Sequence, residues 1–183
     1  MKSVVRMALF LGLALWGQAL LAHGLPGTSL TFQPTGDRVA LRITMPLEEL
    51  NLVLGKLGDV AFNQDLPALS EAEVQRISNY LMSHLFVADL QENIVQFSVL
   101  SARIEGAFDD HVGDYQVLVV QLSASQATFP LTLRYDAIMH EVRNHRATVF
   151  LERSGVAPVK IATLQNNAVL RAPVSLLIKD LRD

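Results

Sequence analysis

Alternating apolar and polar residues predict β-strands along most of this chain. Val39, Leu41 and Ile43 alternate with smaller or more polar residues, which is the period of a strand with one buried face. The preceding segment Pro34-Thr-Gly-Asp37 contains the proline and glycine of a tight turn. The predicted strands run over 29–33, 38–45, 87–90, 94–105, 115–124, 130–139, 146–152, 159–165 and 169–177. The protein is therefore predicted to be mainly β.

Two short helices are predicted between the second and third strands. Pro46 can open the first helix, at 47–54, and Gly55 can close it. The second helix starts after Ser70, because Ser70 and Glu73 have the spacing of a capping box. Its buried stripe consists of Val74, Ile77, Leu81 and Leu85.

These elements predict an antiparallel β-sandwich, either immunoglobulin-like or an open barrel, with two short helices inserted after the second strand. The helices would cover an edge or an open end of the sheets. After residue 22 the chain is long enough for one such domain and barely long enough for two. We therefore expect residues 23–183 to form a single β-rich domain.

Residues 1–22 have the pattern of a secretory signal peptide. Lys2 and Arg6 provide the basic start, an uncharged apolar core follows at 7–16, and small residues lead to Ala22. An uncleaved membrane anchor is the less favoured interpretation, since a spanning helix needs about 20 apolar residues. We expect cleavage and a periplasmic or secreted protein, soluble or in peripheral contact with a membrane.

Composition excludes several kinds of function. Removing Lys2 and Arg6 from 15 basic residues leaves 13 against 18 acidic residues, a formal charge of −5. Nucleic-acid binding is not expected, since it requires a basic face. The chain has no cysteine, so thiol catalysis, cysteine-ligated zinc and a disulfide framework are excluded.

The polar segment His140-Glu-Val-Arg-Asn-His145 is the main candidate for chemistry. It lies between the strands predicted at 130–139 and 146–152, which suggests a hairpin. The zinc-protease motif places two histidines four residues apart on a helix, whereas these two are five apart. On a continuous strand they would point to opposite faces. They can share a ligand only where the chain bends, as in a turn.

Two interpretations of this segment remain open. Imidazoles accept nickel, copper or zinc, and Glu141 or Asp136 could add an oxygen ligand. Alternatively, the segment is a structural turn in which Asp136 and Glu141 pair with Arg143 and Arg146 while the histidines bond to backbone.

Three further places in the sequence were considered as metal sites. His23 would begin the mature chain after cleavage at Ala22, and its α-amine and imidazole could chelate copper or nickel. Cleavage after Ala19 would remove that arrangement. The acidic loop Asp109–Asp114 could bind a cation, but an acidic hairpin loop that keeps an edge soluble is favoured. His84 lies at the edge of the helical stripe, where a packed or surface histidine is favoured over a ligand.

The sequence resembles the extracytoplasmic region of HupE/UreJ-type proteins, which are hydrogenase and urease accessory membrane proteins associated with nickel uptake. The resemblance rests on Ala22-His-Gly-Leu-Pro, Arg42-Ile-Thr-Met-Pro-Leu-Glu-Glu-Leu-Asn-Leu-Val-Leu-Gly55 and Tyr135-Asp-Ala-Ile-Met-His-Glu-Val-Arg-Asn-His-Arg-Ala-Thr-Val-Phe150. In that family a bundle of membrane helices follows, and transport belongs to that bundle. The resemblance implies a periplasmic β-rich module that delivers metal or docks on a membrane partner.

The leading hypothesis is a periplasmic, non-enzymatic accessory protein that binds or delivers nickel, copper or zinc in connection with a membrane transporter. Its predicted ligands are His140, His145, Glu141 and His23. The main alternative is a protein-interaction module that docks on a membrane partner, in which the histidine-bearing hairpin is structural. A hydrolase that uses the Asp109–Asp114 loop is a third, weaker option, because no nucleophile motif is present.

Overall fold

The computed structural model describes residues 26–58, 69–125, 127–166 and 175–179. The predicted signal peptide, His23 and most of the last predicted strand lie outside these ranges. The elements in chain order are β1 (Thr28–Thr35), β2 (Arg38–Pro46), α1 (Leu47–Leu54), α2 (Glu71–His84), β3 (Leu85–Ala88), β4 (Ser98–Asp109), β5 (Gly113–Ser125), β6 (Leu131–Tyr135), β7 (Arg146–Arg153), β8 (Val156–Gln165) and β9 (Leu176–Ile178).

The strands form two sheets, which confirms the mainly β, sandwich-like class. The larger sheet has the order β4-β5-β2-β1-β7-β8, and the smaller has the order β3-β6-β9. Both helices follow the second strand, as predicted. The larger sheet ends at β4 and β8, so the described strands do not close into a barrel. Strand pairs are antiparallel except β1 and β7, which run parallel.

The core lies where the two sheets and both helices contribute to one apolar cluster. In β2 the alternating residues Val39, Leu41 and Ile43 are buried, as their period predicts. Leu133 from the smaller sheet and Leu81 from α2 belong to the same cluster. Each such side chain contributes about 1.5–3 kcal/mol when fully buried, so this cluster is the main source of stability in a chain without disulfides.

The predicted hairpin of residues 130–139 and 146–152 is wrong. β6 pairs with β3 and β9 in the smaller sheet, whereas β7 pairs with β1 and β8 in the larger one. Residues 136–145 therefore form a crossover between the sheets rather than a hairpin turn. Ala137, Ile138 and Met139 within this crossover are buried, and Ile138 has a φ of 69°. Burial of these apolar residues anchors the crossover in the core.

The first turn of α2 contains the predicted capping box. The Ser70 hydroxyl accepts from the Glu73 amide at 3.3 Å, and Glu73 accepts from the Ser70 amide at 2.8 Å. The other oxygen of Glu73 accepts from the Gly58 amide at 2.9 Å. Hydrogen bonds from Gly58, the Ser70 hydroxyl and the Ser70 amide lower the pKa of Glu73 to about 2. The carboxylate thus links the helix start to the segment that follows α1.

We expect this carboxylate to make stability pH-dependent. The folded pKa of Glu73 lies below its ordinary value of 4.5, so its stabilising effect is fully present above pH 4.5 and is lost as the pH falls toward 2. Relative to Glu73→Gln, the wild type should lose its stability advantage over that range. Urea unfolding of both proteins at several pH values would measure the difference. A difference that stayed constant down to pH 2 would contradict this role.

Candidate metal centre

Three potential metal ligands meet where α2 passes into the smaller sheet. His84 is the last residue of α2, and Asp136 directly follows β6. The register pairs Leu85 with Tyr135, so His84 and Asp136 become neighbours across the ends of β3 and β6. The Asp136 amide also donates to the His84 carbonyl at 3.2 Å. His140 reaches the same point because the crossover turns immediately after Asp136.

The Asp136 carboxylate lies between the two imidazoles. His84 Nδ1 is 2.8 Å from Asp136 Oδ1, and His140 Nε2 is 2.8 Å from Asp136 Oδ2. A carboxylate only accepts, so both ring nitrogens donate in this arrangement. One ligand atom from each residue lies within 4.8 Å of the others. The side chain of His140 is 52% exposed, whereas those of His84 and Asp136 are 21% and 20% exposed. The cluster is therefore anchored on one side and accessible on the other.

Tyr80 fixes the positions of the helix end and the crossover. Its ring centroid is 4.5 Å from that of His84, and its hydroxyl accepts from the Ile138 amide at 2.7 Å. Burial raises the pKa of Tyr80 to about 12, and the negative charges of Glu141 and Asp136 act in the same direction. The hydroxyl stays protonated at neutral pH, so this contact holds α2 against the crossover without adding a charge.

A surface cavity of about 300 Å³ adjoins the cluster. His84 and Asp136 line it together with Arg134, whose guanidinium carbon lies 4.1 Å from the centroid of the Phe86 ring. The remaining lining residues are Met82, Ser83, Leu85 and Phe86 itself. A small molecule in this cavity would contact two of the three ligand residues.

Two imidazoles and one carboxylate are a donor set that zinc, nickel and copper accept. To bind a metal, each coordinating nitrogen must give up its proton, so the ion would replace the two hydrogen bonds to Asp136. Three protein ligands leave at least one coordination position for another ligand. The arrangement can thus hold a metal without enclosing it.

His145 has different surroundings from His140. Its side chain is fully buried, with Nε2 at 2.8 Å from the Thr28 hydroxyl and Nδ1 at 2.5 Å from Glu49. Both ring nitrogens are thus engaged by residues of β1 and α1. The structure does not bring His145 together with His140.

The other two predicted ligands are not part of the cluster either. Glu141 is exposed and does not belong to the group of converging ligands found in the described residues, and His23 lies outside those residues.

The bonds among Thr28, His145 and Glu49 follow the hydroxyl–imidazole–carboxylate order of hydrolase triads. Nδ1 must carry the proton, because Glu49 only accepts; in a neutral ring Nε2 then accepts from the Thr28 hydroxyl. Thr28 is 1% exposed and His145 is 2% exposed, so a substrate cannot reach the hydroxyl. The three residues tie the starts of β1 and β7 to α1, which is a structural role.

Sequence reasoning favoured a packed or surface histidine over a ligand at His84 and left it out of the predicted ligand set. It lies 52 residues before Asp136, and no local spacing connects them. The only available signal is its position at the end of a capped helix, directly before an apolar strand.

The Asp109–Asp114 loop lies at the tip of the β4–β5 hairpin, where Asp109 accepts from the His111 amide at 2.9 Å. Its residues are not part of the converging group in the described chain.

No protein-family model matches this chain, and no curated protein sequence matches it either. The resemblance to HupE/UreJ-type proteins therefore stays a prediction. Neither helix in the described part of the chain is long and apolar enough to cross a bilayer.

Proposed function

We propose that this protein binds a transition-metal ion, namely zinc, nickel or copper, through His84, Asp136 and His140. The observation that supports the proposal is the convergence of these three donors within 4.8 Å, with His84 coming from a segment 52 residues before Asp136. Its cellular role would be that of a periplasmic, non-enzymatic accessory protein that delivers the metal to a membrane transporter. That role follows from the predicted signal peptide and the resemblance to HupE/UreJ-type proteins.

A comparison with His145 favours a binding site over a structural network. His145 is sealed in the core and uses both ring nitrogens, as expected of a histidine that stabilises the fold. In contrast, His140 is half exposed, and its hydrogen bond to Asp136 uses one ring nitrogen. An ion can therefore reach the cluster from solvent and gain three ligands with little rearrangement.

The test is calorimetric titration of the purified mature protein with zinc, nickel and copper. We expect a dissociation constant in the micromolar range or below for at least one ion. His84→Ala and His140→Ala should each weaken binding by about 100-fold or more, since even residues that only support ligands contribute 10–100-fold. His84→Ala is the more informative variant, because the proposed site includes His84 whereas the ligand set predicted from the sequence does not.

Two control variants show whether the metal binds at the cluster or at another histidine. His111→Ala changes an exposed histidine on the β4–β5 hairpin and should leave metal affinity unchanged. His23→Ala tests the predicted chelate at the amino terminus, which would bind copper and nickel rather than zinc. Absence of binding by the wild type, or zinc binding that neither cluster variant weakens, would refute the proposed centre.

Exposed apolar residues on edge strands support the alternative of a protein-interaction module. Leu100 and Phe108 on β4 are 66% and 68% exposed, and an edge strand can pair with an extended partner segment. In that case the His84→Ala/His140→Ala double variant would lose thermal stability but would show no change in metal binding.

A further inference from the structure

We infer that the cavity beside the metal centre binds a small carboxylate, which Arg134 holds while the carboxylate completes the coordination of the metal. This inference rests on the proposed metal site and adds a class of ligand to it. Four points support it: the coordination position that three protein ligands would leave open, the size and lining of the cavity, the position of Arg134 against Phe86 and the balance of charge.

Two of the three proposed metal ligands also line the cavity. His84 and Asp136 belong both to the ligand set and to the cavity wall, so an additional ligand can approach from that side. A volume of about 300 Å³ is at the small end of the range for ligand pockets. The cavity therefore suits a small molecule rather than a folded partner.

Arg134 is held in a position that suits recognition of an oxyanion. It pairs with Phe86 across β3 and β6, and its guanidinium carbon lies 4.1 Å from the ring centroid. This stacking restricts the guanidinium while leaving its N–H groups available at the edge. Arg134 also precedes Asp136 by two residues, which is the spacing of side chains on the same face of a strand. A planar guanidinium binds a carboxylate through two parallel hydrogen bonds.

Charge and apolar surface favour a carboxylate on an organic molecule. A divalent ion and Arg134 would carry three positive charges against the negative charges of Asp136 and the nearby Glu141, so an anion would reduce the remaining excess. Met82, Leu85 and Phe86 line the same cavity and can contact carbon atoms. An inorganic anion would leave this apolar surface in contact with water.

The experiment uses the mature protein loaded with cobalt(II), whose visible absorption reports changes in coordination. Acetate, benzoate and phosphate are titrated into the wild type, Arg134→Gln and Arg143→Gln. Acetate and benzoate should alter the spectrum of the wild type, with benzoate binding more tightly because its ring contacts the apolar wall. Arg134→Gln should weaken carboxylate binding by about tenfold or more without changing cobalt affinity. Arg143→Gln removes an exposed arginine of the crossover that does not line the cavity and should behave like the wild type.

The outcomes distinguish this inference from the proposed function. Cobalt binding with no spectral response to carboxylates, or a response that Arg134→Gln does not weaken, would overturn the inference and leave the metal site intact. Phosphate binding as tight as benzoate binding would overturn the assignment to a carboxylate. A protein that binds none of cobalt, zinc, nickel and copper would refute both the metal site and the inference.

Discussion

Replacing His145 by alanine should lower the free energy of unfolding by about 3 kcal/mol. The imidazole is fully buried and bonds to both Thr28 and Glu49. Alanine would leave the buried Thr28 hydroxyl and the Glu49 carboxylate without this partner, and it would also create a cavity where the ring now packs. Urea unfolding would measure the loss. In a thermal scan the midpoint should fall by about 6–12 °C.

The His145→Ala protein also separates the two interpretations of this histidine. At a temperature where the variant is folded, its zinc affinity should equal that of the wild type. His111→Ala, an exposed control, should change the free energy of unfolding by less than about 0.5 kcal/mol. Unchanged stability in His145→Ala would contradict the structural role. A folded His145→Ala protein that had lost zinc binding would restore His145 as a ligand.

Replacing Asp136 by asparagine should reduce zinc affinity by about 100-fold or more. Asparagine keeps the shape of the side chain but removes the negative charge and one acceptor oxygen. Its amide group would also direct N–H donors at one of the two imidazoles, which now both bond to the carboxylate at 2.8 Å. Neutral amide oxygens are weaker ligands than carboxylates for transition-metal ions. Calorimetric titration with zinc measures the change directly.

A matched substitution controls for loss of charge alone. Asp110→Asn removes an exposed carboxylate from the β4–β5 turn and should leave zinc affinity unchanged. Circular dichroism would show whether both variants keep the fold. Asp136→Asn with the zinc affinity of the wild type would mean that the carboxylate only supports the turn.

Local patterns predicted the elements well but not how all of them pair. The capping box of Ser70 and Glu73 lies within four residues, so the sequence located α2 correctly. Alternation identified β2 for the same reason. Alternation determines which face of a strand is buried, but it does not specify the partner strand. The hairpin predicted around residues 136–145 was wrong for this reason. Two strands that are adjacent in sequence were assumed to pair, whereas β6 and β7 belong to different sheets.

The candidate site was predictable only in part for a related reason. His140 and Asp136 are four residues apart, and the sequence identified their segment as the richest in potential ligands. His84 joins them through the β3–β6 register, which no local spacing specifies. The burial of His145 was equally hidden, since its partners Thr28 and Glu49 are 117 and 96 residues away. Because its neighbours in the sequence are polar, His145 was predicted to be an exposed metal ligand, whereas it lies in the core.

The parallel pairing of β1 and β7 has a consequence for the order of folding. β1 is the first strand in the described part of the chain, yet it lies inside the larger sheet between β2 and β7. Its residue Thr28 pairs with Ala147, 119 positions later. Contacts between such distant residues carry a large loop-closure cost and slow folding. The larger sheet therefore cannot be completed until β7 has been synthesised, and until then β1 lacks one of its two partner strands.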